Sequence, residues 1–92
     1  MYELHWTDFF SRRAKKFLKK HPELVDEFKK VILLLESDPR HPYLKFHALS
    51  GGLAGKAAVS LSFKYRVVLE VIDDSKVVVL HDVGSHDEVY GR

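Results

Sequence analysis

The sequence contains no cysteine and no long hydrophobic run, and these two absences exclude several classes of protein. Without cysteine there is no disulfide framework and no thiolate to act as a nucleophile or metal ligand, which fits a reducing cytoplasm. No apolar run approaches the roughly 20 residues of a membrane-spanning helix. The first six residues also lack the basic stretch and apolar stretch of a signal peptide. We therefore expect a cytoplasmic protein that does not associate with membranes.

The 92 residues, 46% of them hydrophobic, predict a single domain over residues 1–92 with one modest core. The net charge of +2 is small, but its distribution is uneven. Residues 11–20 contain no acid and six cations: Arg12, Arg13, Lys15, Lys16, Lys19 and Lys20. Such a cluster attracts a polyanion or an acidic segment of a partner protein, and the alternative is a solvated helix face without a ligand.

The first half of the chain predicts a short strand over residues 2–6 and then two helices. Thr7 is suited to the N-cap of the first helix, and Pro22 interrupts the helical pattern and favours a new helix start. Apolar residues recur at helical spacing in both segments. The expected buried faces consist of Phe10, Ala14, Phe17 and Leu18 in the first helix and of Leu24, Phe28, Val31, Ile32 and Leu35 in the second. The short connection predicts an antiparallel helical hairpin.

The second half of the chain predicts mainly strands. Residues 43–49 fit either a short strand or an irregular connection, and three glycines between 51 and 55 indicate a loop. Residues 56–62, 65–72 and 76–83 are strand-like, with a turn at 73–75 and with Gly84 ending the last strand. The order β-α-α-β-β-β predicts an α+β fold. We expect a curved antiparallel sheet with the helical hairpin packed on one face.

A few residues could carry chemistry. His86 and Tyr90 are four apart, so a helical turn would bring them together. His86 could act as a general acid or base, and Tyr90 offers a ring for base stacking. Arg66 suits bidentate phosphate contact, unless it is only an edge-facing arginine at a strand entrance. His47 is a second imidazole beside the glycine loop, or merely an exposed loop residue.

The sequence predicts no metal site and no cofactor. The six histidines lack the close pairing with cysteine or carboxylate that zinc sites show. The chain also lacks a P-loop, a dinucleotide-binding fingerprint and a G-x-S-x-G motif.

Several segments together resemble the RelE/ParE superfamily of bacterial type II toxins. They are residues 64–73 (KYRVVLEVID), 77–80 (VVVL), 83–84 (VG) and 88–90 (EVY). Residues 47–51 (HALSG), 53–55 (LAG) and 84–90 (GSHDEVY) resemble the YafQ branch within it. The resemblance implies a microbial-RNase-like fold with the active site on the concave face of the sheet. It also implies a cognate antitoxin, a toxin–antitoxin hetero-oligomer and, in the RelE and YafQ branches, ribosome-dependent cleavage of mRNA that inhibits translation.

The resemblance assigns a role to each candidate residue. In these branches the ribose 2′-hydroxyl attacks the adjacent phosphate without a metal and leaves a cyclic phosphate. Arg66 matches the arginine that stabilises the phosphorane, and Tyr90 the C-terminal aromatic that stacks on or polarises the nucleotide. His86 matches the C-terminal histidine, a candidate acid, and His47 the histidine before the glycine loop, a candidate base. The six cations of residues 11–20 and Lys64 are candidates for contact with RNA or the ribosome.

The sequence departs from the family pattern on one strand. Where the YafQ branch has a second histidine and an aspartate, this chain has Ser60 and Lys64, and where the RelE branch has lysines it has Ala57 and Val59. Two alternatives therefore stay open beside the mRNA endoribonuclease. One is a ParE-like inhibitor of DNA gyrase, and the other is a catalytically inactive binding module with the same fold.

Overall fold

The computed structural model describes residues 1–91, which form one five-stranded sheet and three α-helices. None of the helices in this range is long and apolar enough to cross a membrane. In chain order the strands and helices are β1 (Glu3–Trp6), α1 (Asp8–Lys20), α2 (Val25–Ser37), β2 (His47–Ala48), β3 (Ala57–Leu61), β4 (Tyr65–Ile72), β5 (Val77–Ser85) and α3 (His86–Tyr90).

The helical hairpin forms as local sequence predicts. The Thr7 hydroxyl accepts a hydrogen bond from the backbone N–H of Phe10 and donates one to the carbonyl of Leu80, so the cap also ties α1 to β5. A short 3-10 turn at Pro22–Leu24 separates the two helices. Six of the nine predicted apolar positions are buried: Phe10, Ala14 and Phe17 of α1, and Phe28, Val31 and Leu35 of α2. The other three, Leu18, Leu24 and Ile32, are partly buried and pack against the same core.

The strand order is β1-β5-β4-β3-β2, so β1 and β2 are the two edges. The α+β class and the helical hairpin beside the sheet are confirmed. Pairing is antiparallel from β2 to β5, as expected, whereas β1 joins β5 in parallel. The parallel pair arises because the chain crosses over through the helices and returns to the same end of the sheet before β5 begins.

One strand boundary was predicted wrongly. Gly84 does not end β5: it lies inside the strand and pairs with Arg66, and β5 continues to Ser85. A Cβ built at Gly84 would lie 3.0 Å from the Glu88 Oε1 atom and 3.2 Å from an Arg13 guanidinium nitrogen. Gly84 therefore leaves room for the Glu88 and Arg13 side chains and does not break the strand.

The two faces of the sheet have different coverings. Val59, Val67 and Leu69 belong to the main core under α1 and α2. Alternation along the strands places Ala58 and Val68 on the opposite face, where they are nevertheless buried. Val89 of α3 is buried too, and α3 contacts β4 and β5, so this short helix covers part of the second face.

Candidate active site

The C-terminal helix is fixed to the end of β5 by a capping box. The Ser85 hydroxyl accepts a hydrogen bond from the Glu88 N–H at 3.2 Å, and the Glu88 carboxylate accepts one from the Ser85 N–H at 2.8 Å. The second bond stabilises the ionised carboxylate and lowers the pKa of Glu88. The box sets the direction in which α3 leaves the sheet, and with it the positions of His86 and Tyr90.

The predicted pairing of His86 and Tyr90 is present. Their ring centroids lie 4.4 Å apart at an interplanar angle of 88°, an edge-to-face contact within one helical turn. Val89 between them packs onto the sheet and anchors the turn.

His47 comes to the same place from the far edge of the sheet. β2 pairs with β3 so that His47 lies opposite Ala58, which puts the imidazole on the face that α3 covers. A cavity of about 420 Å³ lies between the two segments. It is lined by His47, Leu49, Ser50, Gly52, Leu53, His86 and Tyr90.

The tautomer of His47 follows from its hydrogen bond. The Nδ1 atom lies 3.2 Å from the carbonyl oxygen of Lys45. A carbonyl can only accept, so this contact requires the hydrogen on Nδ1 and leaves a lone pair on Nε2. In the neutral ring, Nε2 can therefore accept a hydrogen bond from a ligand.

His86 has an acidic neighbour. Its Nδ1 atom lies 3.6 Å from the Asp87 carboxylate, and the two form an ion pair when the imidazole is protonated. Both side chains are exposed, so the pair itself contributes little to stability. At this separation the contact is electrostatic and is not a hydrogen bond.

The Tyr90 hydroxyl points inward. Its oxygen is buried and forms no hydrogen bond with any group in residues 1–91. Burial raises the pKa of Tyr90, and the nearby Arg66 cation opposes that rise. The phenol is thus a neutral, half-buried ring whose hydroxyl faces away from solvent.

Arg66 lies on the same face as the cavity. It pairs with Ser60 on one side and Gly84 on the other, and it alternates with the core residue Val67. Its Nη1 atom donates to the carbonyls of Phe63 and Tyr65 at 3.3 and 2.9 Å. The guanidinium has five N–H donors, so further donors remain for a phosphate.

The cations of α1 fall into two groups. Arg13 donates to Asp82 at 3.0 Å and to the carbonyl of Val83 at 3.4 Å, and both charged side chains are mostly buried. These contacts cover the edge of β5 beyond Leu80, where β1 no longer pairs with it. The other five cations form an exposed surface, called here the basic surface of α1: Arg12, Lys15, Lys16, Lys19 and Lys20.

The remaining predicted residue, Lys64, is exposed in the turn between β3 and β4. The sequence interpretation missed Tyr43, Lys45 and Phe63, which lie close to Arg66 along a second groove. An aromatic residue in a polar turn was the available signal for Phe63. Within residues 1–91, no three side chains of the types that bind metals are grouped so as to hold an ion.

Comparison with solved structures extends the likeness over nearly the whole chain. YafQ from E. coli is 17% identical, with a TM-score of 0.82 over 99% of this chain and 100% of that one. A metal-bound toxin from Helicobacter pylori is 25% identical, with a TM-score of 0.80 over 98% and 100%. YafQ in the E. coli DinJ–YafQ toxin–antitoxin complex is 18% identical, with a TM-score of 0.78 over 98% of both chains. No protein-family model and no curated protein sequence matches the chain. The resemblance to this superfamily is thereby confirmed at the level of the fold.

Proposed function

We propose that this chain, which has the fold of the RelE/ParE superfamily, is the toxin of a type II toxin–antitoxin system and cleaves mRNA on the ribosome. The observation that carries the proposal is the shared cavity of His47, His86 and Tyr90 next to Arg66. Two imidazoles can act as general base and general acid, and a guanidinium can stabilise the charge that develops on the phosphate.

The proposed reaction is a transesterification. His47 Nε2 takes the proton of the ribose 2′-hydroxyl, and the 2′-oxygen forms a bond to the adjacent phosphorus. The bond from phosphorus to the 5′-oxygen breaks, and protonated His86 gives that oxygen its proton. The products are a 2′,3′-cyclic phosphate and a free 5′-hydroxyl.

The other two residues stabilise and orient. Negative charge builds on the phosphate oxygens as the 2′-oxygen attacks, and the free donors of Arg66 stabilise it. Tyr90 supplies its ring as a stacking surface for a base, because Tyr90 lines the cavity while its hydroxyl oxygen is buried.

The location and partners follow from the same proposal. A ribosomal substrate implies a cytoplasmic protein, and the basic surface of α1 would contact RNA phosphates, with affinity that falls steeply as salt rises. An antitoxin would hold the toxin inactive in a hetero-oligomer, as the toxin–antitoxin complexes among the similar structures suggest.

The test is cleavage of a defined mRNA in a purified translation system. The wild-type chain should release fragments ending in a cyclic phosphate, and His86→Ala and His47→Ala should each lower the rate roughly 10²–10⁴-fold. His5→Ala is the matched control, because His5 is an exposed histidine on the opposite edge of the sheet. It should cleave at the wild-type rate.

The same preparations distinguish the alternatives. If the mRNA stays intact and gyrase no longer supercoils DNA, the chain is a gyrase inhibitor and not a nuclease. Intact mRNA, normal supercoiling and normal growth on induction without an antitoxin would identify an inactive binding module.

A further inference from the structure

A second groove opens on the other side of Arg66, at the turn between β3 and β4. It encloses about 440 Å³, and Tyr43, Lys45, Ser60, Phe63 and Arg66 are among its lining residues. Of its lining residues, Arg66 alone takes part in the proposed catalytic steps. Its aromatic rings, cations and hydroxyls are suited to a ligand that has both flat apolar rings and negative charge.

Phe63 is the most unusual residue of the groove. Its side chain is 92% exposed, although phenylalanine is among the residues most often buried. The turn holds it there, because Ser62 adopts a positive φ of 60°, which residues other than glycine rarely do. An aromatic ring presented on a constrained turn is suited to stacking with a flat partner.

Tyr43 forms a fixed wall opposite the turn. Its hydroxyl donates to the Glu27 carboxylate at 2.7 Å, and the Lys30 ammonium lies 4.1 Å from its ring centroid. Among the lining residues, Glu27 carries a negative charge, and Lys45 and Arg66 each carry a positive charge. The two cations would attract a phosphate that enters the groove.

Two residues connect the groove to the candidate active site. Arg66 lines the groove and also acts electrostatically on Tyr90. Lys45 lines the groove, and its carbonyl holds the Nδ1 of His47. A strand of RNA bound over the catalytic cavity would therefore pass into this groove.

We propose that the groove is a second nucleotide subsite for single-stranded RNA, in which a base stacks on Phe63 and the adjoining phosphate contacts Lys45 and Arg66. The inference rests on the proposed function, since it concerns the same RNA strand. Each stacked base adds roughly 5- to 150-fold in affinity, which corresponds to about 1–3 kcal/mol at 1.4 kcal/mol per tenfold.

The test is an NMR titration of the ¹⁵N-labelled chain with 2′-O-methyl oligoribonucleotides, which cannot be cleaved because the attacking hydroxyl is blocked. A dinucleotide should shift the amides of residues 86–90. A pentanucleotide should also shift residues 62–64 and bind roughly 5- to 150-fold more tightly. Phe63→Ala should lose this gain and keep the dinucleotide affinity, while Phe63→Trp should retain both. Leu33→Ala is the control, since Leu33 is a 66% exposed apolar residue on α2.

The inference is overturned if Phe63→Ala binds the pentanucleotide as tightly as the wild type, if Leu33→Ala loses the same affinity, or if RNA shifts no amide near the turn. A polyglutamate peptide that shifts residues 62–64 where RNA does not would replace RNA with an acidic protein partner. If the Phe63 substitution does not change the rate of cleavage, the subsite is ruled out and the proposed nuclease activity stands. If RNA binds through Phe63 but is not cleaved, the subsite stands and the proposed nuclease activity is wrong.

Discussion

Replacing Tyr90 by phenylalanine removes one oxygen atom from the buried side of the candidate site. That hydroxyl has no hydrogen-bonding partner within residues 1–91 and is shielded from solvent. The ring itself, with its edge-to-face contact to His86, stays in place. The substitution therefore separates the contribution of the hydroxyl from that of the ring.

We expect Tyr90→Phe to raise the free energy of unfolding. A buried hydroxyl without a partner costs about 1–3 kcal/mol of lost hydration. Part of this cost is offset by the attraction between the phenol oxygen and the nearby Arg66 cation, so the net gain is about 1 kcal/mol. For a domain of this size that corresponds to a rise in Tm of roughly 4–8 °C.

The gain also has a pH signature. Burial raises the pKa of Tyr90 in the folded state above its ordinary value of 10.0. A raised folded pKa means that stability is fully present below the unfolded pKa and is lost as pH rises through the folded pKa. Above about pH 10, the free energy of unfolding of the wild type should fall because Tyr90 ionises more readily in the unfolded chain. Tyr90→Phe lacks this ionisation and should not show that fall.

The assays are urea unfolding at neutral and alkaline pH, together with mRNA cleavage. Tyr43→Phe is the matched control, because it removes a hydroxyl that does donate, to Glu27. Its stability should fall by about 0.5–1.5 kcal/mol, opposite in sign to the effect at Tyr90. Tyr90→Phe should cleave at a rate within about threefold of the wild type. Tyr90→Ala removes the ring and should lose the stacking of one base, which contributes about 1–3 kcal/mol of binding free energy. The reasoning is refuted if Tyr90→Phe destabilises the fold or abolishes cleavage.

Three further predictions concern the elements that hold the site. Gly84→Ala should lower the free energy of unfolding by about 1 kcal/mol and weaken cleavage in the translation assay, because the added Cβ displaces Glu88 from the capping box. Glu88→Gln should reduce the loss of stability on acidification, measured by urea midpoints at pH 7 and pH 3. The pKa of Glu88 is lowered by its hydrogen bond, so its contribution is present above the ordinary value of 4.5 and lost as pH falls. Arg13→Ala should cost about 2 kcal/mol in thermal unfolding by removing the cation paired with Asp82, whereas Arg12→Ala, at an exposed position, should stay within about 0.5 kcal/mol.

Local patterns were enough to predict α1, α2 and most of the strands. The Thr7 cap, the apolar spacing of α1 and α2, and the turn after β4 all depend on residues within a few positions of one another. The contact of His86 with Tyr90 was predictable for the same reason, since side chains four apart meet on one helical turn.

Gly84 shows where local interpretation failed. A glycine at the end of an apolar run usually indicates a break, but here the strand continues, and the missing side chain makes room for Arg13 and Glu88. Arg13 is a second residue whose contacts local sequence could not predict. As one of six clustered cations it was expected to contact RNA, while the fold pairs it with Asp82. Its contact with RNA stays a prediction.

The sequence by itself determined the helical hairpin, the first strand, the three strands after the glycine loop and the contact between His86 and Tyr90, because these depend on propensity and short-range spacing, whereas the two-residue strand β2 and the helix α3 were not part of the predicted order β-α-α-β-β-β. Only the tertiary structure decided that His47 shares a cavity with His86, that β1 pairs in parallel with β5 and that the Tyr90 hydroxyl is buried. These features depend on how segments remote in sequence pack together, and burial and electrostatic environment exist only after that packing is complete.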